Sequence, residues 1–232
     1  MDRVHREDGR DLITRAVGPG IVIWGLIVGF GYALTGPLIG FSREEEVVNK
    51  DLAGQRSSTW NTITMVWSHM GNTEIVIGVC VLVTAVLLWR TRDWLFSLVP
   101  LIAISLQATI FVIAANVVGR PRPKVSHLDP APPTSSYPSG HVGASTALYL
   151  SFVLLASRIE HAWLRWSVTV VCLLVPLLVT YARLYRGMHH VTDVAVGMLN
   201  GLLCALLAYG WYRHRAREAG KLSTREKAPA LT

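Results

Sequence analysis

The chain has 232 residues, a formal net charge of +7 and 51% hydrophobic residues, and only 16% of it is charged, against about 25% in soluble domains. That composition excludes a disordered chain and a coiled coil. The basic residues lie between and after long apolar runs, which excludes a nucleic-acid partner despite a sequence pI near 9.7.

Six runs approach the roughly 20 apolar residues that a helix needs to cross a bilayer: 16–40, 73–89, 95–118, 141–157, 163–182 and 193–212. The expected fold is therefore an all-α integral membrane bundle of six transmembrane helices. Residues 1–15 form a leader, 16–213 one domain, and 214–232 a solvated, disordered tail. The first run is rich in glycine (Gly18, Gly20, Gly25, Gly29, Gly31 and Gly36), which permits close helix contacts. Acids in the leader and the lack of a clean cleavage site argue for an uncleaved span.

Residues 41–72 begin polar, with Arg43, Glu44, Glu45 and Glu46, and end with Trp60, Ile63, Trp67 and Met70 on one helical face. An interfacial helix lying on the outer leaflet is the preferred reading, with a helix packed over the bundle as the alternative. Residues 119–140 hold six of the 11 prolines and predict a rigid, irregular loop. The 183–192 stretch predicts a short turn. Cys80, Cys172 and Cys204 lie in separate apolar runs with no C-x-x-C pair, which predicts buried thiols.

Charge predicts the orientation. The leader (Arg3, Arg6, Arg10, Arg15), the turns with Arg90 and Arg92 and with Arg158 and Arg165, and the tail together hold 14 of the 22 Lys and Arg residues. The positive-inside rule puts these segments and both termini in the cytoplasm. Trp89, Trp94, Trp163, Trp166 and Trp211 fall at the same ends, at the level where indole meets lipid headgroups.

The other side carries the chemistry. Arg120, Arg122, Lys124, Ser139, Gly140 and His141 lie in or just after the proline-rich loop, and Arg183, Arg186, His189, His190 and Asp193 in or near the short turn. Ionisable groups at membrane depth are costly and mark function. Ser139 and Gly140 precede an apolar helix whose N-terminus offers free N–H groups to an anion, and Arg122 and Arg183 can grip phosphate oxygens. His189 and Asp193 are four apart. A helix beginning near His189 would put them on one face, where the carboxylate would fix the ring's tautomer.

The order R-P-R-P, P-S-G-H and R-x5-H-x3-D resembles the type 2 phosphatidic acid phosphatase (lipid phosphate phosphatase) superfamily, which also holds soluble bacterial acid phosphatases and vanadium haloperoxidases. The resemblance covers roughly residues 60–212 and matches the six-span membrane branch. It implies hydrolysis of a phosphate or diphosphate ester on a lipid, without metal or cofactor, in a cell membrane. It implies His189 as the nucleophile that becomes a phosphohistidine, Asp193 as its orienting carboxylate and His141 as the general acid. Arg122, Ser139, Gly140 and Arg183 would bind phosphate. The family's lysine seven residues before the motif arginine is replaced by Ala115, and its serine before the third-motif arginine by Ala182. Arg120, Lys124 and Arg186 are the candidates for the missing charge.

Alternatives stand beside this reading. Ala115 makes a catalytically weak, lipid-binding member thinkable, and an alcohol in place of water would make a lipid phosphotransferase. A zinc site of His141, His189 and Asp193 has acceptable ligands but adjacent arginines that repel a cation. A vanadate-dependent peroxidase belongs to a soluble branch, unlike six apolar spans. His190 reads as a supporting residue, and His69 and His127 as solvated.

Overall fold

The computed structural model describes residues 9–131 and 134–226, with side chains to Gly220. Arg3, Arg6, Pro132, Pro133 and Lys227 fall outside the described residues. The described chain is helical, without strands.

Helix α1 (Gly9–Thr35) begins with a π-helical stretch, Ile13–Val17. Helices α2 (Ile39–Gly54) and α3 (Ser58–His69) follow, then α4 (Thr73–Thr91) and α5 (Trp94–Val118). Helices α6 (Gly140–Ala156), α7 (Ala162–Tyr185) and α8 (Val191–Glu226) complete the chain. Five of these (α1, α4, α5, α7 and α8) are long and apolar enough to span a bilayer, and α6 is a shorter apolar helix. The six-helix membrane bundle expected from the apolar runs is therefore the fold.

Helix α6 lies at the centre and packs on α5, α7 and α8. Its interior face is small and hydroxylated: Gly143, Ser145, Thr146, Ala147 and Ser151 are all buried. Ser145, Thr146 and Ser151 return their hydroxyls to the preceding turn of their own helix, so no polar group is left to lipid. Small residues let the facing helices close in. A methyl group at Gly201 would strike the Gly143 carbonyl, and one at Gly197 would lie 2.5 Å from the Ser139 carbonyl oxygen.

The glycines of α1 divide by environment. A methyl at Gly31 would lie 2.7 Å from Tyr137, and one at Gly20 would lie 2.8 Å from Leu106, while Gly25 and Gly29 have no neighbour that a methyl would meet. Gly31 admits the fully buried Tyr137, whose hydroxyl donates to the Ile27 carbonyl at 2.7 Å. This ties the proline-rich loop to α1.

Three expectations change. Helix α3 packs over the bundle on α7, with Trp60, Trp67 and Tyr181 in mutual edge-to-face contact and Thr64 and Ser68 buried. Trp211 is 2% exposed and belongs to a core with Phe96 and Tyr212, whereas Trp89 and Trp163 are 71% exposed. Finally, α8 runs on to Glu226 where a disordered tail was expected; within it Arg215 donates to Asp11 of α1. All three cysteines are free and buried, as expected.

The ends of the bundle sort as the charge pattern grouped them. At one end Arg158 contacts Asp93 and Tyr212, and Asp11 meets Arg215. At the other, α2, α3, the 119–139 loop and the turn between α7 and α8 gather through the Arg56 guanidinium. It donates to the carbonyls of Tyr185 and Ser126.

Candidate active site

Beneath this second cap lies a cavity of about 550 Å³. Arg122, Asp129, His141, Arg183 and His189 form its polar wall. Val76 and Ile77 of α4, with Ile104, Ala108, Phe111 and Val112 of α5, form its apolar wall.

Ser139 caps α6 in an extended conformation, but its hydroxyl makes no capping bond. The helix begins beside it, and the first N–H groups of a helix have no partner within it. Ser139 is held by its own N–H, which donates to the Asp193 carbonyl at 2.9 Å. Gly140 is small for a second reason, since a methyl there would lie 2.7 Å from the Phe111 ring. Arg183, in the last turn of α7, donates through one terminal nitrogen to Ser68 and Asp129 at 2.9 and 2.8 Å. Arg122 donates to the Met188 carbonyl at 2.8 Å.

Three buried donors that line the cavity have no hydrogen-bond partner among the described residues: Gln107 Nε2, Arg122 Nε and Arg183 Nε; the Ser139 hydroxyl, one residue before the lining Gly140, is also unpartnered. Buried polar groups are ordinarily paired. Two guanidinium edges on one cavity, beside a helix N-terminus at Gly140, are suited to an anion.

His189 lines the same cavity, 4% exposed. Its Nδ1–H donates to the Ser136 carbonyl at 2.6 Å, which leaves Nε2 with the lone pair. Burial and the nearby Arg183 and Arg122 hold its pKa well below the usual 6.5, so the ring is held neutral. Burial also lowers the pKa of Arg122 from its ordinary value, opposed by Asp193.

The expected His189–Asp193 hydrogen bond is absent, because α8 begins at Val191, after His189. Asp193 Oδ2 is 3.9 Å from His189 Nδ1. That oxygen accepts instead from the His190 N–H at 2.8 Å and faces His190 Nδ1 at 3.1 Å. Oδ1 takes Arg120 at 2.5 Å. The tautomer of His189 is thus set by a backbone carbonyl, and Asp193 acts on it from behind.

The spare cations are also placed elsewhere. Arg120 is 3% exposed and spans Asp193 and Glu45 of α2, with further bonds to Ser42 and Thr192. Arg186 binds Asp129, Thr64 and the carbonyls of Asn61 and Leu128. Lys124 lines a separate crevice of about 330 Å³ with Arg43, Glu46 and His190. None of the three lines the main cavity, and buried Ala115 does not either. Among the described residues no three His, Cys, Asp or Glu side chains gather as a metal-binding set.

Asp129, Asn72 and Glu45 escaped the sequence reading. Asp129 accepts from Arg183, Arg186 and Ser68, and these partners hold its pKa below 3.8 against burial. It follows Arg120, Arg122 and Lys124 in a loop with no other carboxylate, which is the available signal.

Fold and site together define an α-helical membrane protein with a histidine at a buried anion cradle. The sequence model of the PAP2 superfamily matches residues 94–217, more than half of the chain, and the chain belongs to that superfamily. It is similar to the lipid A 4'-phosphatase of Porphyromonas gingivalis, 34% identical over 86 residues, 35% of this chain and 34% of that protein. The match therefore spans about a third of that relative's length. The fold resembles the crystal structure of a transmembrane PAP2 type phosphatidylglycerolphosphate phosphatase from Bacillus subtilis, with a TM-score of 0.71 and 20% identity over 84% of this chain and 96% of that one. It also resembles Aquifex aeolicus LpxE, with a TM-score of 0.57 and 18% identity over 70% and 92% of the two chains.

Proposed function

We propose that this protein is a metal-independent membrane phosphatase that removes a phosphate or diphosphate from a lipid through a phosphohistidine. The observation that carries the reading is the pair of unpartnered guanidinium nitrogens, Arg122 Nε and Arg183 Nε, on the cavity that holds neutral His189. His189 Nε2 attacks phosphorus in line, the bond to the lipid oxygen breaks, and His141 gives that oxygen a proton. Water then attacks the phosphohistidine with His141 as base, releasing phosphate and restoring His189. Arg122, Arg183, Ser139 and the N-terminus of α6 at Gly140 stabilise the equatorial oxygens.

The apolar wall supports a lipid substrate. Ile77 and Val112, 50% and 51% exposed, stand at the rim of the cavity on the faces that α4 and α5 turn outward. A chain can lie there while its phosphate meets the arginines. Phosphatidic acid, phosphatidylglycerophosphate and polyprenyl phosphates or diphosphates share this chemistry, and the names of the relatives above favour it. Purified protein in mixed micelles is expected to release phosphate from at least one of these. Vanadate should inhibit and EDTA should leave the rate unchanged. No release from the whole panel would sink the reading, and loss in EDTA with rescue by zinc would replace it with a metal site.

The site faces the extracytoplasmic side with both termini in the cytoplasm, on the charge argument. A Ser126→Cys variant should then react with a membrane-impermeant maleimide in intact cells. Labelling only after lysis would reverse the orientation.

A further inference from the structure

Asn72 sits at the N-cap of α4, the position where an Asn side chain ordinarily accepts from the helix's own first N–H groups. Here it makes no capping bond. Its Oδ1 is instead 3.0 Å from Nε2 of His141, and both residues line the cavity. The loop reaches His141 because Gly71 precedes Asn72. A methyl at Gly71 would lie 3.1 Å from the His141 carbonyl oxygen and 2.9 Å from Val179. A residue well suited to stabilise its own helix is turned to a histidine on another helix.

We propose that Asn72 is a positioning residue for the general acid, holding the His141 ring through Nε2–H and favouring its protonated form. The inference rests on the phosphatase reading above. An amide oxygen only accepts, so Nε2 carries a proton whenever the contact is made. In the imidazolium the second ring nitrogen is protonated as well. One N–H then anchors the ring while the other serves the departing lipid oxygen. The groups that face this ring are Arg122 and Asp129 from the loop, Arg183 from α7 and His69 from α3. Two of these are permanent cations that oppose a charged ring, so a neutral acceptor bonded to the ring has a definite task.

The test compares wild type, Asn72→Ala and Asn72→Asp on a lipid alkyl phosphate and on nitrophenyl phosphate, each over a full pH range. Loss of an oriented general acid costs on the order of 10²-fold or more where the leaving group needs a proton. Asn72→Ala should therefore fall by about that factor on the alkyl ester and by much less on the aryl ester. Asn72→Asp places a carboxylate on the ring and should move the basic limb of kcat/KM upward by about 1 unit or more. A merely structural Asn72 would reduce both esters alike and leave the limb in place in Asn72→Asp, which overturns the inference while the phosphatase reading stands. A wild type inactive on both esters overturns the phosphatase reading and the inference with it. Nitrogen NMR of histidine-labelled wild type needs no variant. A protonated Nε2 on His141 at neutral pH is expected, and a bare Nε2 refutes the contact.

Discussion

His189→Ala removes both turnover and any phosphoenzyme trapped by acid quench. Deleting the nucleophile of a hydrolase with a preorganised site costs about 10⁴-fold or more, and nothing else in the cavity replaces it. The neighbouring His190 has both ring nitrogens engaged, with Asp193 and Glu46, and it lies outside the lining of the main cavity. The loss should be the same for alkyl and aryl phosphates, because the nucleophile is needed whatever departs. His141→Ala should separate the two. An acidic nitrophenol leaves without a donated proton, so the aryl ester suffers less than the lipid. Equal damage to both esters, with product release shown not to limit, would make His141 part of the phosphate-binding wall instead. The pH profile carries a further sign. Because burial and two arginines hold the pKa of His189 well below 6.5, the ring stays neutral and nucleophilic as the medium becomes mildly acidic. The acidic limb of kcat/KM is then expected well under pH 6.5. A limb at the ordinary histidine value would mean that His189 is not shielded in the free enzyme.

The second large effect concerns stability rather than chemistry. Arg120→Met strands two carboxylates, Glu45 at 5% exposure and Asp193 at 0%. Removing one member of a buried ion-paired cluster costs about 3–5 kcal/mol, so a marked drop in melting temperature in detergent is expected. Replacing Glu45 by Gln in the same chain removes one stranded charge and should restore part of the loss. Vanadate affinity per folded molecule should change little, since Arg120 does not line the cavity. A stable Arg120→Met protein with weakened vanadate binding would return Arg120 to the role of a phosphate ligand.

The contrast between Arg120 and Arg122 shows what was legible in the sequence. Apolar run length told the spans apart because lipid imposes one requirement on every helix. The motif spacing located Arg122, Gly140, His141, Arg183 and His189, all of which the fold brings to one cavity, with Ser139 just behind Gly140 at the start of α6. It could not tell that Arg120, a candidate for extra charge at the phosphate, turns away to carboxylate partners. That choice depends on Glu45, whose α2 face of Ser42, Glu45 and Asn49 is buried. The run Glu44–Glu46 looks like a solvated face, and its middle member becomes a buried ligand only once Arg120 and Thr192 stand opposite it. Asn72 was similarly hidden, because an Asn before a helix already has a sufficient local explanation as a cap.

The glycine seam between α6 and α8 has a consequence for precision. Ser139 belongs to the start of α6, while His189 and Asp193 flank the start of α8, so the cradle and the nucleophile ride on different helices. With no side chain at Gly143, Gly197 or Gly201, those helices meet backbone to backbone, and the Ser139 N–H is bonded directly to the Asp193 carbonyl. Sliding one helix along the other would have to break that bond and drive carbonyl into carbon. The seam thus serves as a mechanical datum, registering the His189 end of α8 against the start of α6. The opposite wall has no such constraint, and there α4 and α5 present apolar side chains such as Val76, Ile77 and Val112.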